Sequence, residues 1–178
     1  MSRPRCSVFV ATSLDGYLAD PDDGLAWLES VNSTGEDFGF DAFIARVDGV
    51  VLGRRTYDVV TGFDAWPYPG KHCVVLSHRP AEPRHGEQFF QGTPGQLVAE
   101  LGVQGLRRIY VDGGQVIRQF LQAALVDDLT LSLVPLVLGR GIPLFTPELE
   151  LRRLKLLRSQ AFKSGLVQLE YHLESVGG

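Results

Sequence analysis

Along the first two thirds of the chain, unbroken apolar runs alternate with stretches whose apolar residues recur every three or four positions. "RCSVFVA" (5–11), "GVVL" (49–52), "HCVVLS" (72–77) and "RRIYVDGG" (107–114) read as buried strands, and "EQFFQ" (87–91) as a short one. Between them, Glu36 to Val47 carries Phe40, Phe43, Ile44 and Val47 on one helical face, and "RTYDVVTGF" starts helically and stops at Gly62. "PGQLVAELGVQG" (94–105) and "QVIRQFLQAAL" (115–125) complete the helical set. Strands that are apolar throughout and separated by helices predict a parallel sheet covered on both faces.

Beyond Asp127 the period changes to two. Alternation over Leu129–Leu133 and again over Val167–Leu173, with a Ser164-Gly165 turn signal just before the latter, predicts antiparallel strands closing the sheet. The expected result is a mixed, mostly parallel sheet of roughly seven to nine strands with a C-terminal antiparallel hairpin. Residues 1–178 show no linker, repeat or low-complexity tract, and read as one domain.

Composition narrows the function. The chain is 44% hydrophobic and carries a net charge of −4, which does not fit a nucleic-acid binder. The one basic cluster, "LRRLKLLR" (151–158), reads as a solvated face. Two cysteines, Cys6 and Cys73, lie in or beside apolar runs, so they suggest buried thiols and a cytoplasmic protein without a disulfide framework or structural zinc. No apolar stretch reaches the length of a membrane span. Phosphate-binding and hydrolase signatures fail by spacing: there is no G-x-x-x-x-G-K-[ST], no G-x-S-x-G, and "GRGIPL" at Gly139 lacks the third glycine of G-x-G-x-x-G. The four histidines show no metal-ligand spacing, so no metal site is expected.

Chemistry concentrates where strands end. In open α/β sheets ligands bind outside the carboxyl ends of the strands, and three seams fall there. Gly53, Arg54, Arg55 and Thr56 join a strand to a helix and combine free backbone N–H groups with guanidinium donors suited to phosphate. Gly113 and Gly114 let the backbone approach a ligand closely. Ser77, His78 and Arg79 supply a hydroxyl and a cation fit for a further phosphate. Each seam also has a plain reading as a turn or cap, but three on one sheet edge point to an anionic ligand.

These residues carry a family likeness. "SLDGYLA", "VLGRRTYD", "VVLSHRP", "IYVDGGQVI" and "PLVLGRGIPLF" occur in this order in the dihydrofolate-reductase-like superfamily, and the set most resembles the reductase domain of bacterial riboflavin biosynthesis and its stand-alone relatives. The resemblance implies a three-layer α/β/α fold and an NADPH-dependent oxidoreductase. Its hydride would go to a C=N or C=O of a small heterocyclic or ribosylamino-pyrimidine substrate, as in the reduction of 5-amino-6-(5-phosphoribosylamino)uracil. A dihydrofolate-reductase-type activity and a non-catalytic NADP-binding module are the alternatives. By the same resemblance Gly53, Arg54, Arg55 and Thr56 hold cofactor phosphates, and Ser77, His78 and Arg79 face the 2′-phosphate. Gly113, Gly114, Gln115 and Val116 line the pyrophosphate, while Ala11 and Leu18 flank the nicotinamide.

The acid that assists protonation falls at Asp37 by position, among Glu36, Asp37 and Asp41, all of which also read as helix N-terminal acids. Asp15-Gly16 reads as a turn former. Trp27 reads as packing, Trp66 as packing or stacking, and the Asp-, Gly- and Pro-rich segment from Ser13 to Leu28 as a lid over the site. The apolar run "LVPLVLGRGIPLF" suggests a homodimer, with no nucleic-acid or membrane partner.

Overall fold

A computed structural model describes residues 2–175. In chain order the elements are β1 (Arg5–Ser13), β2 (Tyr17–Ala19), a 3-10 turn (Ala26–Leu28), α1 (Glu29–Asn32), α2 (Phe40–Ile44), β3 (Gly49–Gly53), α3 (Arg54–Val60) and β4 (His72–Leu76). There follow β5 (Gln88–Phe90), α4 (Pro94–Val103), β6 (Arg108–Asp112), α5 (Gly114–Gln122), β7 (Asp128–Val134), β8 (Ile142–Pro143), β9 (Leu154–Ala161) and β10 (Val167–Leu173).

Eight strands form one sheet in the order β5-β4-β3-β6-β1-β7-β10-β9. From β5 to β7 all neighbours are parallel, and β10 then pairs antiparallel with both β7 and β9. The mixed, mostly parallel sheet and its C-terminal hairpin are therefore as the periodicity predicts. β2 and β8 make a separate two-stranded ribbon.

The strands are apolar on both faces because both are covered. Val51, Val74, Ile109 and Val111 point into a core shared with Leu97, Val98 and Leu101 of α4 and Val116, Ile117 and Phe120 of α5. Their neighbours Val50, Leu52, Cys73, Val75 and Tyr110 point the other way, against Phe43 of α2 and Tyr57 and Val60 of α3. This is the expected three-layer α/β/α arrangement, with side chains alternating across each strand. α4 is closed at its start by a capping box, Thr93 Oγ1 accepting from the Gln96 N–H at 3.2 Å and Gln96 Oε1 accepting from the Thr93 N–H at 2.9 Å. Both cysteines are buried and unpaired, and burial pushes each thiol up to about 12.

One expectation changes. The helix expected over Glu36–Val47 shrinks to Phe40–Ile44, because Gly39 takes a left-handed φ of +84° and resets the chain just before it. The basic stretch 151–158 has the solvated face expected of it: its residues 154–158 open β9, an edge strand in which Leu154, Leu156 and Leu157 all stay exposed. Among the described residues no helix is long and apolar enough to cross a membrane.

Candidate functional site

β4, β3 and β6 lie side by side and parallel, so the three seams that follow them reach the same sheet edge. Leu52 of β3 pairs with Asp112 of β6, which sets the turn at Gly53 directly against the turn at Gly113. The approach there leaves no room for side chains. A Cβ on Gly53 would stand 2.9 Å from Val116 Cγ2, one on Gly114 would stand 2.8 Å from Leu18 Cδ1, and one on Gly113 would collide with Thr56 Oγ1. Gly113 also has φ +104°, a conformation that a side chain disfavours. The two glycines and Thr56 thus form a saddle, over which the N-terminal amides of α5 are presented.

A cavity lies on each side of this saddle. The first, about 1070 Å³, takes Gly53, Arg54, Ser77, His78, Arg79, Gln115 and Val116 into its wall, together with Thr93 and Gln96 at the start of α4. Its ionisable lining is Arg54, Arg79 and His78, with no carboxylate. The wall is internally braced: Arg54 Nη1 donates to the Arg79 carbonyl at 2.6 Å, and Arg54 Nε to Asp58 Oδ1 at 2.9 Å. Ser77 Oγ accepts from the Arg79 N–H at 3.0 Å and donates to the Arg79 carbonyl at 3.1 Å, which fixes the turn after β4.

The second cavity, about 730 Å³, is lined by Ala11, Leu18, Arg55, Thr56, Gly113 and Gly114 and by many apolar side chains, among them Val10, Leu28, Phe40 and Phe63. Leu18, Ala19, Asp23, Leu25 and Leu28 all come from the segment expected to cover the site, and the β2–β8 ribbon braces part of it. All thirteen residues expected to hold a cofactor therefore line one cavity or the other, and Gly114 and Gln115, adjacent in sequence, fall on opposite sides. The arginine pair divides as well. Arg54 serves the first cavity, whereas Arg55 stands at the second and is ion-paired with Asp23.

The acid is the correction. Asp37 lines neither cavity; it is exposed, and its Oδ1 accepts from the Gly39 N–H at 2.7 Å to hold the turn into α2. Glu36 is engaged elsewhere, accepting from the backbone N–H groups of Lys163 and Ser164 in the β9–β10 turn. The carboxyl that does reach the second cavity from the sheet is Asp112, the last residue of β6. Tyr68 Oη donates to its Oδ2 at 2.9 Å, and Tyr110, which donates to the Phe9 carbonyl at 3.3 Å, shares the same wall. Burial raises the Asp112 pKa from its ordinary value, against the hydroxyls of Tyr68 and Tyr110 and the Gly113 N–H, which favour the charged form. A carboxyl held toward its neutral form beside a cavity can donate a proton. The signal was present in "YVDGG": a polar residue ends an apolar strand at the ligand-bearing edge.

Other candidates settle into structural roles. Asp15 accepts from the N–H groups of Leu138 and Gly139 at 3.0 and 2.7 Å, clamping two loops as a turn former does. Trp27 packs in the cluster around Val31 and Val134 and donates from Nε1 to the Gly24 carbonyl at 3.3 Å. Trp66 stacks on His85, with centroids 4.4 Å apart, and meets Tyr68 edge-on.

Comparison with known proteins bears on the family and the fold. The model of the RibD C-terminal domain family matches residues 4–168. A Shewanella sp. PV-4 protein assigned to riboflavin biosynthesis is 38% identical, with a TM-score of 0.88 over 96% of this chain and 99% of its own. Uncharacterized protein YwjB of Bacillus subtilis (strain 168) is 31% identical over 92% of this chain and 95% of its own length. RibD of Acinetobacter baumannii shares the fold at 18% identity, with a TM-score of 0.76, 97% of this chain matching 58% of that one.

Proposed function

The chain belongs to the RibD C-terminal domain family, and from that premise we propose that it is an NADPH-dependent reductase acting on a C=N or C=O of a small ring substrate. The observation that carries this reading is the pair of cavities joined across a saddle from which side chains are excluded. A dinucleotide needs that layout: its pyrophosphate must cross where the backbone is bare, with a base on one side and the reactive ring on the other.

In this reading Ser77, His78 and Arg79, with Arg54 behind them, receive the adenosine 2′-phosphate, since the first cavity offers cations and no competing carboxylate. Gly113, Gly114, Gln115 and Val116 seat the pyrophosphate on the start of α5, with the Thr56 hydroxyl beside it. Ala11 and Leu18 flank the nicotinamide. The cofactor, when bound, supplies a hydride. Reduction of a C=N or C=O then needs one proton on the heteroatom, and Asp112, the carboxyl that enters the second cavity from the sheet, is placed to give it. Tyr68 holds that carboxyl in place through its hydroxyl. Leu18, Leu25 and Leu28 cover the cavity and keep bulk water from the acid.

The test is NADPH oxidation, followed by loss of its absorbance, across ring carbonyls and imines that include dihydrofolate and the deaminated riboflavin precursor. Oxidation that requires a substrate and falls strongly in Asp112→Asn supports the reading. Tight NADPH binding without turnover on any substrate would favour a cofactor-binding module instead.

A further inference from the structure

We infer that the second cavity takes an uncharged, planar ring carrying a carbonyl or imine, and that this substrate bears no phosphate. The inference rests on the reductase reading above and follows from the charges around the cavity. Among the described residues three carboxyl groups line it, Asp23, Asp58 and Asp112, against one cation, Arg55. No lysine or histidine joins them.

That one cation is already committed. Arg55 is ion-paired with Asp23, and both residues line the cavity. Arg54, the neighbouring guanidinium, turns to Asp58 and the Arg79 carbonyl and faces the other cavity. The amides at the start of α5 are the seat of the cofactor's own pyrophosphate in this reading. A substrate phosphate would therefore meet no uncommitted cation and would have to displace Asp23 from Arg55 to find one. The remaining lining is Val10, Leu28, Phe40, Phe63, Pro67 and similar side chains, which suit the faces of a ring. The polar end of the cavity is Asp112, held by the Tyr68 hydroxyl and able to hydrogen-bond one heteroatom on the ring.

The rim also supplies a gain-of-function test. Asp23 sits at φ +64°, a left-handed conformation that asparagine tolerates well, so Asp23→Asn keeps the backbone and releases Arg55. The probes are a ribosylaminouracil and its 5′-phosphate ester, titrated calorimetrically into wild type and Asp23→Asn, each with and without saturating NADP⁺. In the wild type the unphosphorylated compound should bind about tenfold or more tightly than the ester, and Asp23→Asn should close most of that gap by improving the ester alone. An ester that binds the wild type as well as or better than the free ribosyl compound overturns the inference, as does failure of both to bind. Failure of NADP⁺ itself to bind breaks the reductase reading, while the comparison made without it still decides the charge preference of the cavity.

Discussion

The two cavities share a saddle and little else. One carries Arg54, Arg79 and His78 and no carboxylate; the other carries Asp23, Asp58 and Asp112 against Arg55, with apolar walls. They differ in assembly too. The cationic cavity is built mostly from residues adjacent in sequence, 77–79, 115–116 and the start of α4, each at a strand end or a helix start. The acidic one is gathered from β1, the segment around β2, α2, α3, β6 and β8. The lesson is that a cation-lined surface can be written in short seams, whereas an apolar chamber gathered from many elements is a property of the fold.

The sharpest way to separate the cavities is to remove the proton donor while leaving the cofactor seat alone. Asp112→Asn should lower turnover by about 10²–10⁴-fold with NADPH affinity unchanged. The wild-type rate should fall as pH rises through the raised pKa of Asp112, because the neutral carboxyl is the competent form. Stability follows the same sign. A carboxyl whose pKa is raised by folding contributes fully below its unfolded value and loses that contribution as pH rises through the folded one. Asp112→Asn should therefore flatten both profiles, read by initial rates and by urea midpoints across pH.

Next in size is the saddle. Gly113→Val forces a branched side chain onto φ +104° and into Thr56, and should weaken NADPH and NADH alike by about two orders of magnitude. Gly114→Ala, which meets only the side-chain ends of Leu18 and Arg118, should do less and guards against misreading a folding defect. A smaller effect belongs to the cationic wall. Arg79→Ala should cost NADPH about tenfold in affinity and leave NADH nearly untouched, whereas Arg55→Ala should not discriminate between them. The smallest lies outside both cavities. Tyr57→Phe removes the hydroxyl that Glu87 accepts from beneath α3, and should lower stability by about 1 kcal/mol without moving either cofactor's affinity.

Much of this was legible in the chain. The alternation of apolar runs and helical spacing gives the parallel core, and period two gives the hairpin, because those patterns report which faces are buried. The residues that line the two cavities at the strand ends were legible because strand ends with Gly, Ser and Arg are local signals. Asp37 was not a sound choice because position along the chain does not fix direction: Gly39 turns the backbone, and the side chain closes a turn instead of entering a cavity. Asp112 sits inside "IYVDGGQVI", where the adjacent glycines carry the stronger local signal. Its raised pKa comes from burial in the folded chain, against the hydroxyl of Tyr68, 44 residues away, which favours the charged form. The division of Arg54 from Arg55 is likewise invisible in "GRRT", since it follows from the turn of α3 between the cavities.

The central claim is that the cationic cavity reads the cofactor's extra phosphate while the acidic one does the chemistry. The most direct measurement is a calorimetric titration of NADPH and NADH into the wild type, Arg79→Ala and Asp112→Asn. The account predicts that the wild type prefers NADPH, that Arg79→Ala loses most of the preference, and that Asp112→Asn keeps it in full. Equal affinity of the wild type for both cofactors, or a preference that survives in Arg79→Ala and disappears in Asp112→Asn, would contradict it.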